Sequence, residues 1–183
     1  MTDKGPAYLP GDPAPKELVD RIIRVDQAGE FGAVRIYAGQ RSVIREGKSA
    51  DLIDHMAEQE ARHLATFNRL VAERRVRPTA LAPLWHVAGY ALGAATALLG
   101  DKAAMACTAA VEEVIDEHYG GQLDELGERE PELRRVIAEY RADEVEHRET
   151  ALAHGAEEAP AYPVLSAAVK SASRLAIWLS ERY

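Results

Sequence analysis

Several features that define whole classes of protein are scarce in this sequence. Its single cysteine, Cys107, excludes an internal disulfide and any zinc or iron–sulfur site built from several cysteines. The net charge of −8 argues against nucleic acid as a partner and against electrostatic adhesion to an anionic membrane. The first residues, MTDKGPAYLPGDPAPKE, lack the apolar core of a secretory signal. No G-x-G-x-x-G motif opens a helix after a strand, so a dinucleotide-binding fold is not predicted.

Helical patterning is what the sequence has in abundance. Its 183 residues, 47% hydrophobic and 28% charged, fit a globular domain of ordinary size. Residues 1–15 contain four prolines and two glycines, so we expect an irregular N-terminal segment followed by a single helical domain over residues 16–183. The pattern predicts helices at roughly 16–47, 49–75, 102–126, 131–154 and 160–182, and no convincing strand.

Residues 78–100 carry no Asp, Glu, Lys or Arg. This stretch is about as long as a membrane span, which needs roughly 20 residues, but it is rich in Ala and Gly. Two interpretations stay open and are compatible: a buried crossover helix between two halves of a bundle, and an apolar face that contacts lipid. The last helix mixes Trp178 and other apolar residues with Lys170 and Arg174, as an interfacial helix does. We favour a peripheral membrane protein over a spanning one.

Two Glu-x-x-His motifs carry the strongest chemical signal. Glu60 and His63 lie in EQEARHL, and Glu144 and His147 lie in DEVEHRE. Residues three apart share a helix face, so each pair can bind one ion. Both pairs interrupt apolar stripes, and burying ionisable groups is costly unless they are paired or bind metal. The repeat matches di-iron bundles in which two helices each provide Glu-x-x-His and two others each provide a Glu.

The two remaining long helices should each provide one inward glutamate. In the first, Glu30 lies on a stripe with Ile23 and Tyr37. In the other, the apolar stripe passes through Glu112, whereas Glu113 lies on a wetter stripe and is the second choice. The predicted metal ligands are Glu30, Glu60, His63, Glu112, Glu144 and His147.

Four carboxylates and two imidazoles suit two divalent ions of iron or manganese. Neighbouring residues should orient the histidines. Asp143 and Gln59 are candidates to bond the free ring nitrogen of the opposite histidine, and Tyr119 is expected to face the cavity. The competing interpretation is a buried salt-bridge network without metal, which is costly to keep.

Four segments resemble the demethoxyubiquinone hydroxylases, the di-iron monooxygenases of ubiquinone synthesis. They are IIRVDQAGEFGAVRIYAGQ, AEQEARHLATFNRL, ACTAAVEEVIDEHY and the run from DEVEHRE through APAY to LSERY. The resemblance extends from about residue 18 to the C-terminus. It implies an all-α, ferritin-like four-helix bundle with an extra crossover helix and a C-terminal amphipathic helix. It also carries the family's metal ligands onto the same six residues.

The resemblance further implies two iron ions per chain and hydroxylation of a demethoxylated polyprenyl benzoquinol ring with dioxygen and electrons from NADH. It implies a peripheral position at a membrane, and the lack of a transit peptide favours the cytoplasmic face of a bacterial inner membrane. A lipid-binding partner protein and a homo-oligomer are compatible with this expectation. No catalytic residue is singled out beyond the metal ligands.

Three other functions use the same sequence features. Iron storage or ferroxidase activity predicts a soluble, cage-forming surface, against which the apolar stretch 78–100 and Trp178 argue. A manganese or peroxide-consuming enzyme on the same scaffold would differ in metal content. A non-catalytic bundle that binds a membrane surface or a partner would leave the six inward ligands without a purpose.

Overall fold

The computed structural model describes residues 14–183, and the predicted irregular segment 1–15 lies mostly outside them. Within the described range the chain forms six α-helices, a short 3-10 turn at Ala156–Glu158 and no strand, which confirms the predicted all-α, ferritin-like fold. The α-helices are α1 Lys16–Val43, α2 Lys48–Arg74, α3 Ala82–Leu98, α4 Asp101–Leu126, α5 Pro131–Ala153 and α6 Tyr162–Ser180.

Local backbone chemistry sets where these helices begin and end. The first helix stops before the predicted end because Ile44 is extended, with φ −84° and ψ 99°. Pro131 and Pro163 each lie in the first turn of their helices, where a missing N–H removes no intrahelical bond. Gly100 has φ +109°, which L side chains rarely adopt, and this glycine allows α4 to follow α3 almost immediately.

Four of the helices build the bundle. The chain pairs α1 with α2 and α4 with α5, and the two pairs face each other across the interior. The other two helices pack on the outside, α3 mainly against α1 and α6 mainly against α4. Consequently α1 and α4 are covered on both sides, by the bundle interior and by the outer helices.

Glycine allows α3 to lie against α1 at very short range. A Cβ on Gly93 would come within 1.9 Å of the carbonyl oxygen of Ile36, and one on Gly39 within 2.2 Å of the carbonyl oxygen of Tyr90. No other residue fits at either position without moving the helices apart.

The stretch 78–100 does cross between the two halves of the bundle, but its helix is not buried. Only Gly93, Thr96 and Ala97 of α3 are buried, and its opposite face exposes several large apolar side chains. These exposed side chains are Leu84, Val87, Tyr90 and Leu98. Among the described residues, no helix is both long and apolar enough to cross a membrane.

Two apolar layers enclose the middle of the bundle from its two ends. One contains Tyr37, Ile53, Met56, Met105 and Ala151. The other contains Ile22, Ile23, Phe67, Leu126 and Ile137. On all four bundle helices the predicted ligands lie between residues of the first layer and residues of the second. A polar cluster is therefore enclosed within the apolar core.

Candidate metal centre

The structure brings all six predicted ligands together in the middle of the bundle. Each is at most 3% exposed. They form two overlapping groups, in each of which one ligand atom per residue lies within 4.8 Å of the others. The first group, called here the His63 position, is Glu30, Glu60, His63 and Glu144. The second, called the His147 position, is Glu60, Glu112, Glu144 and His147.

Both histidines turn the same ring nitrogen toward the carboxylates. Nδ1 of His63 lies 3.2 Å from Glu144 Oε1 and 3.5 Å from Glu30 Oε2. Nδ1 of His147 lies 3.2 Å from Glu60 Oε1 and 3.3 Å from Glu144 Oε2. Glu60 and Glu144 are therefore shared by the two positions, whereas Glu30 belongs to the first only.

The buried atoms at the centre fit divalent ions better than they fit one another. Glu60 Oε1, both carboxylate oxygens of Glu144 and Nδ1 of both histidines have no hydrogen-bond partner. A buried polar atom without a partner is expensive, and native proteins seldom tolerate several in one place. Oxygen and imidazole donors with free lone pairs are the ligands that iron and manganese prefer. These donors are therefore suited to bind a pair of divalent metal ions.

Without metal, the cluster holds protons. Burial raises the pKa of Glu60 well above its usual value, and the nearby carboxylates of Glu144 and Glu30 raise it further. Burial and Glu144 likewise raise the pKa of Glu112. Burial alone would lower the pKa of His63, but the carboxylates of Glu144 and Glu30 outweigh burial and raise it to about 10. Burial opposes ionisation of Glu144, but the two histidines prevail and lower its pKa.

Two tyrosines bond Glu30 and Glu112, called here the outer glutamates because each belongs to one ion position only. The hydroxyl of Tyr37, on α1, donates to Glu112 Oε1 on α4 at 2.9 Å. The hydroxyl of Tyr119, on α4, donates to Glu30 on α1. Burial raises the pKa of both phenols well above the usual value, so they remain donors at neutral pH. Each of the two glutamates is thus fixed by the helix opposite its own.

The outward ring nitrogen of each histidine is likewise bonded by a residue of the opposite helix. Nε2 of His63 donates to Asp143 Oδ2 at 3.0 Å, and Nε2 of His147 donates to Gln59 Oε1 at 3.2 Å. These are the contacts that the sequence predicted for Asp143 and Gln59. They fix the tautomer that leaves Nδ1 free for an ion. Glu113, the second choice on α4, instead points away and pairs with Lys170 at 2.6 Å.

Several residues around the cluster were not singled out from the sequence. Gln40 donates to Thr108 at 3.3 Å, and Gln122 donates to Asp26 at 2.6 Å. A repeat in the sequence could have revealed them, because four polar positions on α1 recur on α4 with the same spacing. The α1 set is Asp26, Glu30, Tyr37 and Gln40, and the α4 set is Thr108, Glu112, Tyr119 and Gln122.

His118, which no sequence pattern singled out, is part of the same surroundings. Its Nε2 lies 3.6 Å from Asp26 Oδ1 and 2.8 Å from the amide nitrogen of Gln122. Burial raises the pKa of Asp26, although His118 opposes that effect. His118 and Tyr119 also line a small cavity of about 20 Å³ that reaches Glu30 and Glu112. That space is enough for about one water-sized molecule.

A larger cavity of about 260 Å³ adjoins the small one. It lies between α1, α3, α4 and α6, and none of its lining residues in the described part of the chain is charged. Six residues line both cavities: Val25, Gly29, Ala33, Val111, Ile115 and Ile177. The polar groups of its lining are Ser173, Ser180 and the indole of Trp85, which donates to Ser180. An apolar space thus leads toward the carboxylate cluster.

The fold and this cluster together define a class: a ferritin-like helical bundle with a buried carboxylate–histidine centre. A family model described as Ubiquinone biosynthesis protein COQ7 matches residues 17–180. Because the match covers most of the sequence, the chain belongs to the COQ7 family of ubiquinone biosynthesis proteins.

Relatives with curated names agree. The chain is 60% identical over 175 residues to the 3-demethoxyubiquinol 3-hydroxylase of Rhodospirillum rubrum, covering 95% of this chain and 82% of the relative. It is 52% identical over 171 residues to the human mitochondrial NADPH-dependent 3-demethoxyubiquinone 3-hydroxylase, covering 91% and 79%. It is 44% identical over 182 residues to the mitochondrial 5-demethoxyubiquinone hydroxylase of Saccharomyces cerevisiae, covering 90% and 78%. The chain is accordingly an enzyme of the hydroxylase class.

Proposed function

We propose that the chain is a di-iron monooxygenase that hydroxylates the ring of a demethoxylated polyprenyl benzoquinol, late in ubiquinone biosynthesis. One observation carries the proposal: buried carboxylates and histidines with unpartnered atoms lie beside an uncharged, apolar cavity. The names of the relatives, which specify demethoxyubiquinol or demethoxyubiquinone, support this class of substrate.

The two ligand groups correspond to two iron ions. Glu30 and His63 would hold one ion, Glu112 and His147 would hold the other, and Glu60 and Glu144 would be shared. Four carboxylates offset the charge of two divalent cations. When bound, the iron pair would supply the activation of dioxygen that a monooxygenase requires.

The protein's own contribution is orientation and exclusion of water. The cavity walls formed by α1, α3, α4 and α6 accept an apolar ring and the start of its tail. The hydroxyls of Tyr37 and Tyr119 keep Glu112 and Glu30 in place while the apolar layers at both ends of the bundle keep the centre dry. No separate acid or base is part of the proposal.

The proposed electron source is NADH, with the quinone as the relay. The described residues form helices only, so within them no dinucleotide-binding fold surrounds the cluster. The names of the mammalian relatives specify NADPH rather than NADH. Both nucleotides therefore belong in the assay of this chain.

Peripheral binding at the cytoplasmic face of a bacterial inner membrane completes the proposal. The two outer helices that cover the large cavity, α3 and α6, also carry most of the exposed large apolar side chains. On α3 these include Val87, 65% exposed, and Leu98, 74% exposed; on α6 they include Val164, 71%, and Trp178, 49%. A membrane would cover these side chains and deliver a lipid-soluble quinone to the cavity.

A product assay tests the proposal directly. Iron-loaded protein, dioxygen, a short-chain demethoxyquinone and either NADH or NADPH are mixed, and the quinone is analysed by mass spectrometry. We expect the ring to gain one oxygen atom, and Glu60→Ala or His147→Ala to abolish that gain. If iron is bound and oxidised while the quinone returns unchanged, the hydroxylase proposal is wrong and a ferroxidase role takes its place.

A further inference from the structure

The two halves of the centre are related by an approximate internal two-fold. The sets on α1 and α4 have identical spacing, and Gln59, Glu60 and His63 on α2 correspond to Asp143, Glu144 and His147 on α5. Three pairs of hydrogen bonds obey the same relation, since the tyrosine, histidine and glutamine bonds made by one half each have a counterpart made by the other. Any difference between equivalent positions is therefore a difference between the two ion positions.

The two halves differ in charge at the residues that accept a hydrogen bond from the outward nitrogen of each histidine. His63 donates to the carboxylate of Asp143 at 3.0 Å, whereas His147 donates to the amide oxygen of Gln59 at 3.2 Å. Hydrogen bonds to an ionised acceptor are roughly twice as strong as those between neutral groups. An imidazole backed by a carboxylate is also a more basic ligand through its other nitrogen.

A second difference also lies at the His63 position. The ring of Tyr140 stacks on His63 with centroids 3.8 Å apart, and its hydroxyl donates to Thr66 at 2.7 Å. The position equivalent to Tyr140 is Met56, and the sulfur of Met56 lies 3.8 Å from the hydroxyl of Tyr37. The ring orientation of His63 is thus held from a face and from an edge.

One turn before the outer glutamates, the chain again differs in charge. Asp26 precedes Glu30, and the equivalent residue before Glu112 is Thr108. Asp26 is 2% exposed, its Oδ1 lies 3.6 Å from Nε2 of His118, and it accepts a hydrogen bond from Gln122. We therefore attribute the difference between the two ion positions to Asp143, whose carboxylate bonds the ring of His63 directly.

We propose that the two ion positions are inequivalent, and that Asp143, acting through His63, makes the His63 position the tighter one. The inference rests on the proposed metal centre and adds an order of loading to it. Asp143 is a positioning residue rather than a ligand, because its oxygen bonds Nε2 while Nδ1 points to the cluster.

Anaerobic calorimetric titration of the metal-free protein with ferrous iron tests this order. We expect two binding steps in the unmodified chain. Asp143→Asn, which removes the charge but keeps the shape, should weaken the tighter step by about 10- to 100-fold and leave the weaker step nearly unchanged. Gln59→Glu should strengthen the weaker step. Glu146→Gln removes one charge from the exposed side of the same helix and serves as the matched control.

A spectroscopic readout separates positioning from a general loss of structure. With one equivalent of ⁵⁷Fe²⁺, the Mössbauer spectrum of the unmodified chain should be dominated by one quadrupole doublet, and that of Asp143→Asn should contain two. Circular dichroism of each metal-free variant checks the fold, and Gln59→Glu keeps the test decisive if Asp143→Asn fails to fold.

Different results overturn different statements. Two steps of indistinguishable affinity in the unmodified chain would make the inequivalence wrong while the metal centre stands. Equal weakening of both steps by Asp143→Asn would refute the role of Asp143 in that inequivalence. A chain that binds no iron would overturn both. A chain that loads in the expected order but returns the quinone unchanged would leave the inequivalence intact and refute only the hydroxylase.

Discussion

The carboxylate cluster and the large cavity share α1 and α4 but treat polar groups in opposite ways. On the inner side of these helices, Glu30 and Glu112 join a buried cluster of six ionisable residues. On the outer side, small and apolar residues leave open space with no charged group in its lining. One pair of helices can therefore line both a carboxylate–histidine cluster and an apolar space, because adjoining faces of the helices serve each.

The cost of this arrangement falls on the inner face. Burying carboxylates raises the pKa of Glu60 and Glu112, so the metal-free centre keeps protons that an ion would displace. The outer face has no such cost, since no charged residue of the described chain lines the large cavity there. Disturbing one face should therefore affect ion binding and disturbing the other should affect substrate binding.

The largest effect is expected from Glu144→Ala, because Glu144 belongs to both ion positions. Removing it takes away one of the two carboxylates that both positions share, so neither position keeps its full set of donors. We expect iron content after anaerobic loading and desalting to fall from two ions per chain to nearly none, with hydroxylation lost. Glu146→Ala, exposed on the same helix, should keep two ions. Retention of both ions by the Glu144 variant would contradict the assignment.

The next largest effect concerns pH and only the metal-free protein. The folded pKa of His63, about 10, lies above its usual 6.5, so its stabilising contribution is complete below pH 6.5 and is lost as pH rises through 10. The raised pKa values of Glu60 and Glu112 act in the same direction. We expect the free energy of unfolding, measured with urea, to fall by several kcal/mol between pH 7 and 10, an order of magnitude that follows from the His63 shift.

Metal loading should abolish that slope, since ions replace the protons that the cluster holds. His55→Gln, which changes an exposed histidine, should leave the slope of the metal-free protein unchanged. A metal-free protein as stable at pH 10 as at pH 7 would show that the cluster does not retain its protons.

A smaller effect is expected at the contact between α3 and α1. Gly93→Ala would place a Cβ about 1.9 Å from the Ile36 carbonyl oxygen, so the two helices must separate. Overpacking of this kind costs about 1–3 kcal/mol of unfolding free energy, which denaturant titration can measure. Gly121→Ala is the matched control, because a Cβ there meets nothing within 4 Å and Ala favours the helix. A stabilised Gly93 variant would mean that α3 lies farther from α1.

The smallest effect is expected from filling the cavity. Gly32 lines it, and a Cβ at this position meets nothing within 4 Å, so Gly32→Leu should fold normally and occupy the space. We expect the KM for the quinone to rise roughly tenfold, as loss of pocket space for a few carbon atoms implies, with the iron content unchanged. An unchanged KM would place the substrate elsewhere, and Gly121→Leu controls for the added side chain.

Much of the centre followed from one-dimensional patterns. The spacing in EQEARHL and DEVEHRE predicted two helix faces, and the stripe argument preferred Glu112 to Glu113. The structure places Glu112 inside and Glu113 at the surface beside Lys170. Helical periodicity reaches this far because it depends only on which residues share a face.

Contacts between helices were harder to foresee. Tyr37 lies on the predicted stripe, but its bond to Glu112 depends on how α1 approaches α4. The large cavity likewise required the packing of α3 and α6, and α3 proved exposed on one face rather than buried. Crossing distances and helix rotation come from the sum of many side-chain contacts, which no local pattern contains.

The family, the helical class and the six inward residues could be predicted from the sequence, because these depend on residue identity and on a 3.6-residue period. Which residue supports which ligand depends on how the helices pack: Asp143 bonds His63, Gln59 bonds His147, and each tyrosine bonds the glutamate of the opposite helix. The physical reason is range. Periodicity acts along one helix, whereas these bonds join residues 75 to 89 positions apart that meet only when the bundle closes.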